Sequence, residues 1–259
     1  MPAAPRSGRD LKLRQLLPEA AAVQLGAFVD ALELRASPPA DRPYTVVNFV
    51  SSADGRAAFQ GRSGPIAGGD EADRALFLGL RERVDAVLAG TGTLRTERYG
   101  RLLRDPERRE RRAASGLDPE PLASVLTRSG DVPTEIPLFA ESQARVVVST
   151  PTELDSSACA AQVEQVLLDP GELTLTTMMR RLRSDYAVRA LLCEGGPTIF
   201  GALLDEELVD ELFLTLAPRL VGGGVAPAIA AGPELPELRN LRVISALERE
   251  GSLYLRYGL

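Results

Sequence analysis

The sequence predicts an α/β fold: a mostly parallel, twisted sheet with flanking helices and an antiparallel C-terminal edge. Three observations predict it. Short apolar or β-branched runs alternate with stretches of helical periodicity, the pattern of repeated βαβ units. Glycine-rich turns close several of those runs, as where a parallel strand feeds a helix. The last two runs, Leu238–Leu247 and Leu253–Tyr257, flank Arg249-Glu250-Gly251-Ser252, a turn that sends the chain back on itself.

The elements follow in order. Residues 1–10 are rich in Pro, Ala, Gly and Arg and are expected to be disordered. Pro18 to Leu34 place Ala22, Leu25, Phe28, Val29 and Leu32 at helical spacing, which predicts one helix in an N-terminal extension over residues 1–40. Ser37-Pro38-Pro39 ends it, and residues 41–259 form the main domain. Pro43–Val50 is β-branched and aromatic, so a strand, and leads into Asp54-Gly55. The loop over 61–69 is polar, and Asp70–Arg83 carries Ala75, Leu76 and Leu80 on one helical side. Asp85–Ala89 is a short buried strand ending in Gly90-Thr91-Gly92-Thr93. Residues 97–119 are dominated by charge, which fits a solvated excursion or a lid that lends an arginine to an anionic substrate. Strands are expected at 123–126, 145–149, 163–168, 188–193 and 209–216, with helices at 173–183 and 198–205.

Composition narrows the chemistry. The net charge of −6 argues against nucleic acid and against anionic membrane surfaces as partners. There is no histidine, so a Ser-His-Asp triad and a histidine metal site are excluded. Two cysteines in unrelated contexts, Cys159 and Cys193, give neither a disulfide framework nor a metal cluster, and Cys193 reads as a small buried hydrophobe. No metal is expected. No apolar run approaches the ~20 residues that span a bilayer, and Met1 to Asp10 lacks the core of a signal peptide, so the cytoplasm is the expected location.

Three strand ends carry phosphate-friendly chemistry: Gly90-Thr91-Gly92-Thr93, Thr127-Arg128-Ser129-Gly130 and Gly195-Gly196-Pro197-Thr198. Singly each is a weak signal, because glycine after a strand more often means only a tight turn. Together, on one sheet, they suit an elongated ligand with several phosphates, such as a dinucleotide. The Rossmann fingerprint is absent, and so is a Walker lysine, because Lys12 is the sole lysine. A guanidinium matches phosphate oxygens bidentately, so Arg128 points to a 2′-phosphate and to NADPH rather than NADH.

Asn48-Phe49-Val50-Ser51-Ser52-Ala53-Asp54-Gly55-Arg56, Gly90-Thr91-Gly92-Thr93-Leu94 and Glu194-Gly195-Gly196-Pro197-Thr198, followed by Gly201-Ala202-Leu203-Leu204, resemble the reductase domain of riboflavin biosynthesis. The resemblance continues through Leu208-Val209-Asp210-Glu211-Leu212 and Val221-Gly222-Gly223-Gly224, and covers about residues 42–258. It implies a dihydrofolate-reductase-like fold, usually a homodimer, that uses NADPH to reduce a ribosylaminopyrimidine 5′-phosphate to its ribityl form. By position, the cofactor is expected at Ser51, Thr93, Glu97, Arg128, Gly195, Gly196, Pro197, Thr198, Ile199, Phe200, Gly201 and Ala202. Substrate is expected at Asn48, Ser63, Arg81, Arg104 and Glu194, with Asp54 and Glu194 as the catalytic carboxylates.

Two departures from that family matter. The deaminase half, with its zinc-binding residues, has no counterpart in these residues. Asn48 stands where bacterial bifunctional members usually carry a lysine and archaeal ones often an asparagine. An amide both donates and accepts, whereas lysine only donates, so Asn48 suits an undeaminated pyrimidine or another heterocycle such as a pterin. A dihydrofolate or pterin reductase of the same fold, and a non-catalytic nucleotide- or flavin-binding regulatory module, remain alternatives.

Overall fold

The computed structural model describes residues 8–259. In chain order the elements are β1 (Lys12–Leu17), β2 (Ala21–Gln24), α1 (Leu25–Asp30), β3 (Tyr44–Ser52), α2 (Gly64–Ala67), α3 (Glu71–Arg83), β4 (Ala86–Leu88) and α4 (Thr91–Glu97). There follow α5 (Pro106–Ala114), β5 (Leu122–Leu126), a 3₁₀ turn (Pro137–Ala140), β6 (Arg145–Thr150), β7 (Gln162–Leu167) and α6 (Leu175–Ser184). The chain closes with β8 (Ala190–Cys193), α7 (Pro197–Asp205), β9 (Glu211–Ala217), β10 (Arg242–Arg249) and β11 (Ser252–Gly258).

One sheet runs β2-β1-β10-β11-β9-β3-β8-β4-β5-β6-β7. From β9 through β7 every pairing is parallel. From β9 through β2 every pairing is antiparallel. The expected architecture, a parallel body with an antiparallel C-terminal edge, is therefore what forms.

Side-chain alternation divides the core between the two faces of the sheet. Val46, Ala190, Leu192 and Phe213 pack with the α1 and α3 residues Val29, Ala72, Leu76 and Leu80. Val47, Phe49, Leu191, Cys193 and Leu212 pack on the opposite face with Met178, Met179, Phe200 and Leu203 from α6 and α7. The period of two in β3 thus commits Asn48 and Val50, like Val46, to the α3 face. Cys193 is fully buried, and burial pushes its thiol up to about 12, in keeping with a small apolar role.

Two expectations are corrected. The helix predicted over 18–34 is confined to Leu25–Asp30, and the residues before it form β2, which hairpins back on β1. The backbone of β1 is satisfied by β10 on one side and β2 on the other, so residues 12–24 extend the sheet instead of forming a helical appendage. Only the part of the predicted face that reaches α3 stays helical: Val29 packs where Gly79 leaves room, with Val29 Cγ2 lying 2.8 Å from where a Cβ would stand. Of the stretch expected to be disordered, residues 1–7 lie outside the described residues, and Arg9 pairs with Asp30.

The charged stretch over 97–119 is not a solvated excursion. Its helix α5 docks on the C-terminal end of α3 through buried arginines. Arg112, 1% exposed, donates to the carbonyls of Arg81 (2.8 Å), Val84 (2.6 Å) and Asp118 (2.9 Å). Those carbonyls include the ones a helix end leaves unpaired. Glu82 accepts from Arg108 and Arg111 beside them.

Candidate functional site

A cleft of about 880 Å³ opens at the C-terminal ends of the parallel strands. Its floor carries Asn48 and Val50 of β3, its roof is α3, and its far wall is made by the starts of α4 and α7. That position follows from topology, since ligands in such sheets sit beyond the carboxyl ends of the strands.

The far wall is built from two glycine turns that touch. The Gly90 amide donates to the Gly195 carbonyl at 2.9 Å, which holds the end of β4 against the end of β8. Gly195 has φ +84°, and a Cβ there would stand 2.8 Å from Phe49 Cζ, so this corner requires glycine. The Gly195–Gly196 peptide is cis. Neither α4 nor α7 has a side-chain cap at its N-terminus. Two helix starts therefore present backbone N–H groups and positive dipole ends to the same space. A Cβ on Gly196 would lie 3.0 Å from Thr93 Oγ1, so a side chain at Gly196 would fill the gap between the two turns. These features fit the pyrophosphate of a dinucleotide.

Under the roof, Glu194 extends from the end of β8 and meets Arg81 of α3. Arg81 Nε and Nη2 donate to the two carboxylate oxygens at 2.6 and 2.7 Å. The Tyr99 hydroxyl donates to Glu194 Oε2 at 2.6 Å, and Arg81 Nη1 donates to the Leu102 carbonyl at 2.6 Å. The guanidinium also stacks on Phe77, 4.4 Å from its ring centre. Burial alone would lower the Arg81 pKa, but the Glu194 charge and its hydrogen bond more than offset that and raise it. Burial and then the same charge push the Tyr99 phenol well up, so it stays protonated and donating. Arg81 is thus no surface residue pairing with its neighbours on the helix.

The structure gathers most of the expected residues. Asn48, Ser63, Arg81, Thr93, Glu97, Arg104, Glu194, Gly196, Pro197, Thr198 and Ile199 all line the cleft. Glu97 accepts from the Ser63 hydroxyl at 3.1 Å, tying the loop before α2 to α4. Arg104 is exposed and has no side-chain partner among the described residues.

Others lie elsewhere. Ser51 is buried, with its hydroxyl donating to the Ser52 carbonyl at 3.0 Å. Gly195, Phe200, Gly201 and Ala202 stand behind the cleft wall; a Cβ on Gly201 would lie 2.1 Å from the Ala231 carbonyl oxygen. Arg128 is exposed at the end of β5, outside the cleft lining and without a partner among the described residues. Asp54 is exposed and fully engaged. It accepts from the Ser52 hydroxyl (2.6 Å) and from the Val221 and Gly222 amides (3.1 and 2.7 Å). The hydroxyl first, and then the two amides, hold its carboxyl down to about 2. This geometry pins the 221–222 loop and leaves Asp54 off the cleft lining.

Asp73, Phe77 and Tyr99 are among the cleft residues that carried no reading from the sequence. The first two had a legible signal, because Asp73, Phe77 and Arg81 recur every four residues along α3 and so share one face. Tyr99 follows α4 in an irregular segment, where no period marks it. Among the described residues no cluster of His, Cys, Asp and Glu is arranged to hold a metal, and no helix is long and apolar enough to cross a membrane.

Comparison with known proteins agrees with this architecture. Residues 43–250 match the model of the RibD C-terminal domain. A 2,5-diamino-6-ribosylamino-4(3H)-pyrimidinone 5′-phosphate reductase from Archaeoglobus fulgidus is 29% identical over 211 residues, which span 81% of this chain and 94% of that protein. The riboflavin biosynthesis protein RibD of Mycobacterium tuberculosis is 29% identical over 71% of this chain, a match spanning 44% of the RibD chain. The crystal structure of a pyrimidine reductase-like protein from Corynebacterium diphtheriae superposes with a TM-score of 0.74 at 23% identity, over 91% of this chain and 98% of that one.

Proposed function

The chain belongs to the RibD C-terminal domain family, and on that premise we propose that it is an NADPH-dependent reductase of 2,5-diamino-6-ribosylamino-4(3H)-pyrimidinone 5′-phosphate, converting the ribosyl side chain to ribityl in riboflavin biosynthesis. One observation carries the reading: two uncapped helix starts adjoin a buried Arg81–Glu194–Tyr99 network across a single cleft. The first half suits a dinucleotide and the second a polar substrate.

The nicotinamide, when bound, supplies a hydride to C1′ of the ring-opened imine. The protein's own groups bind and orient. Thr93, Gly196 and Thr198 line the cofactor side, and Arg128, exposed at the end of β5, is the guanidinium offered to a 2′-phosphate. Arg104, exposed in the cleft and without a side-chain partner among the described residues, is a cation suited to the substrate's 5′-phosphate. Glu194 accepts hydrogen bonds on both oxygens, from Arg81 and from Tyr99, and so fixes Arg81 in the cleft. Such a site works mainly by holding the reacting carbon in line with the hydride.

The expected homodimer and cytoplasmic location belong to the same reading, and sedimentation equilibrium tests the first. Activity is tested by following nicotinamide absorbance with the ribosylaminopyrimidine phosphate and, separately, with dihydrofolate. Oxidation with the pyrimidine alone supports the reading. Oxidation with dihydrofolate alone would turn it to a pterin reductase, and cofactor binding with neither reaction would turn it to a binding module.

A further inference from the structure

Asp73 is an ionisable cleft residue that the network around Glu194 does not use. It lies on α3 two turns from Arg81, with Phe77 between them, and all three line the cleft. Its carboxyl is half-buried, and apart from the Thr215 hydroxyl nothing among the described residues donates to it. That contact is loose: Thr215 Oγ1 lowers the Asp73 pKa but meets no full hydrogen-bond geometry. The neighbouring Asp70 is committed, capping α3 through the Ala72 and Asp73 amides and accepting from the Tyr254 hydroxyl. Burial first, and the Asp70 charge as well, push the Asp73 carboxyl up to about 6.

Register fixes what Asp73 looks onto. Thr215 of β9 stands opposite Val50 of β3, and Asn48 is the next residue of β3 on that face. Same-face neighbours along a strand are about 7 Å apart, so Asn48 lies one such step along β3 from the Val50–Thr215 pair that Asp73 adjoins, and Asp73 and Asn48 both line the cleft. Glu194 flanks Asn48 on the other side, because Val47 pairs with Cys193 of β8. The Asp73 end of the cleft is thus separate from the Glu194 end and offers a carboxylate in need of donors.

We propose that Asp73 reads the 2-amino edge of the pyrimidine and selects an undeaminated ring; this rests on the reductase reading above. A 2-amino-4(3H)-pyrimidinone presents the ring N3–H and an exocyclic N–H side by side. Two parallel donors match the two oxygens of a carboxylate, as a guanidinium does. The deaminated ring replaces the amino group with a carbonyl, which sets an acceptor against an acceptor. A buried site built to accept hydrogen bonds rejects a partner lacking the donor, because its own polar group is left unpaired.

The test measures kcat/KM for the 2-amino substrate and for its 2-oxo counterpart, in wild type, Asp73→Asn and Asp73→Ala. Wild type should favour the 2-amino ring by about 10- to 100-fold, the range of one charge-assisted hydrogen bond. Asp73→Asn offers the 2-oxo group a donor, so the preference should collapse to within about threefold, mostly through KM for the 2-amino substrate. NADPH affinity, titrated by fluorescence, should not change in either variant, which reports intact folding of the cofactor side. A preference that survives in both variants overturns the assignment and leaves the reductase reading standing. Failure of wild type to reduce either ring removes both.

Discussion

Replacing Glu194 with glutamine should test whether the network at the centre of the cleft holds the fold together. The pair is closed to water: the Arg81 side chain is 9% exposed and that of Glu194 2%. The substitution removes the charge facing Arg81 Nε and Nη2, now at 2.6 and 2.7 Å. It also sets an amide N–H₂ against a donor, whichever way it turns, because Arg81 claims both oxygens and Tyr99 one of them. Breaking a buried pair while one partner stays charged costs about 3–5 kcal/mol. At about 2–4 °C per kcal/mol for a chain of this size, Tm should fall by about 6–20 °C. Arg81→Met should cost a similar amount. The double variant should lose less than the sum of the two, by at least about 2 kcal/mol of coupling. Calorimetry or urea unfolding reads all four proteins. A loss within about 1 kcal/mol for Glu194→Gln, the scale of a surface pair, or strict additivity in the cycle, would mean that this pair is not a buried stabilising contact.

Three further outcomes concern other parts of the molecule. Gly201→Ala would put a methyl 2.1 Å from the Ala231 carbonyl oxygen, so a loss of about 1–3 kcal/mol is expected from overpacking, and wild-type stability in urea would contradict it. Arg128→Ala should raise KM for NADPH by about 10- to 100-fold and barely change that for NADH, since one charge-assisted contact is at stake; equal effects on the two cofactors would remove Arg128 from the 2′-phosphate. Asp73 gives a pH signature. Its folded carboxyl, raised from 3.8 to about 6, binds a proton that the unfolded chain has released, so its contribution is full below the lower value and lost as pH rises through the upper one. The groups acting on it are Asp70 of α3 and Thr215 of β9, with Tyr254 of β11 held by Asp70. Asp73→Asn should therefore be more stable than wild type at about pH 8 and lose that advantage by about pH 4; a difference independent of pH in thermal melts would contradict this.

Much of the fold was legible because periodicity and turn chemistry agreed. Val46 and Val47 go to opposite faces, and Asp70 caps α3 where a helix was expected to begin. Where sequence and structure part, longer-range pairing decided. Residues 21–24 look helical by spacing, but β1 offers them an open edge. The arginines of α5 look solvated because charge usually is, and only the carbonyls at the end of α3 explain why Arg112 is buried. At the site, Glu194 and the glycine turns stood out as a strand end meeting a helix start. Asp54 looked equally apt at the end of β3, yet two amides of the distant 221–222 loop claim it. Tyr99 could not be read at all, since its partner Glu194 is 95 residues away.

If the proposed activity holds, hydride passes to the sugar carbon C1′ of a ribosylaminopyrimidine. Reduction with cofactor deuterated at the transferring position, followed by mass spectrometry and NMR of the product, tests it directly. The expected product is a ribityl compound carrying one deuterium at C1′. Deuterium at a ring carbon, or a product free of label, would contradict it.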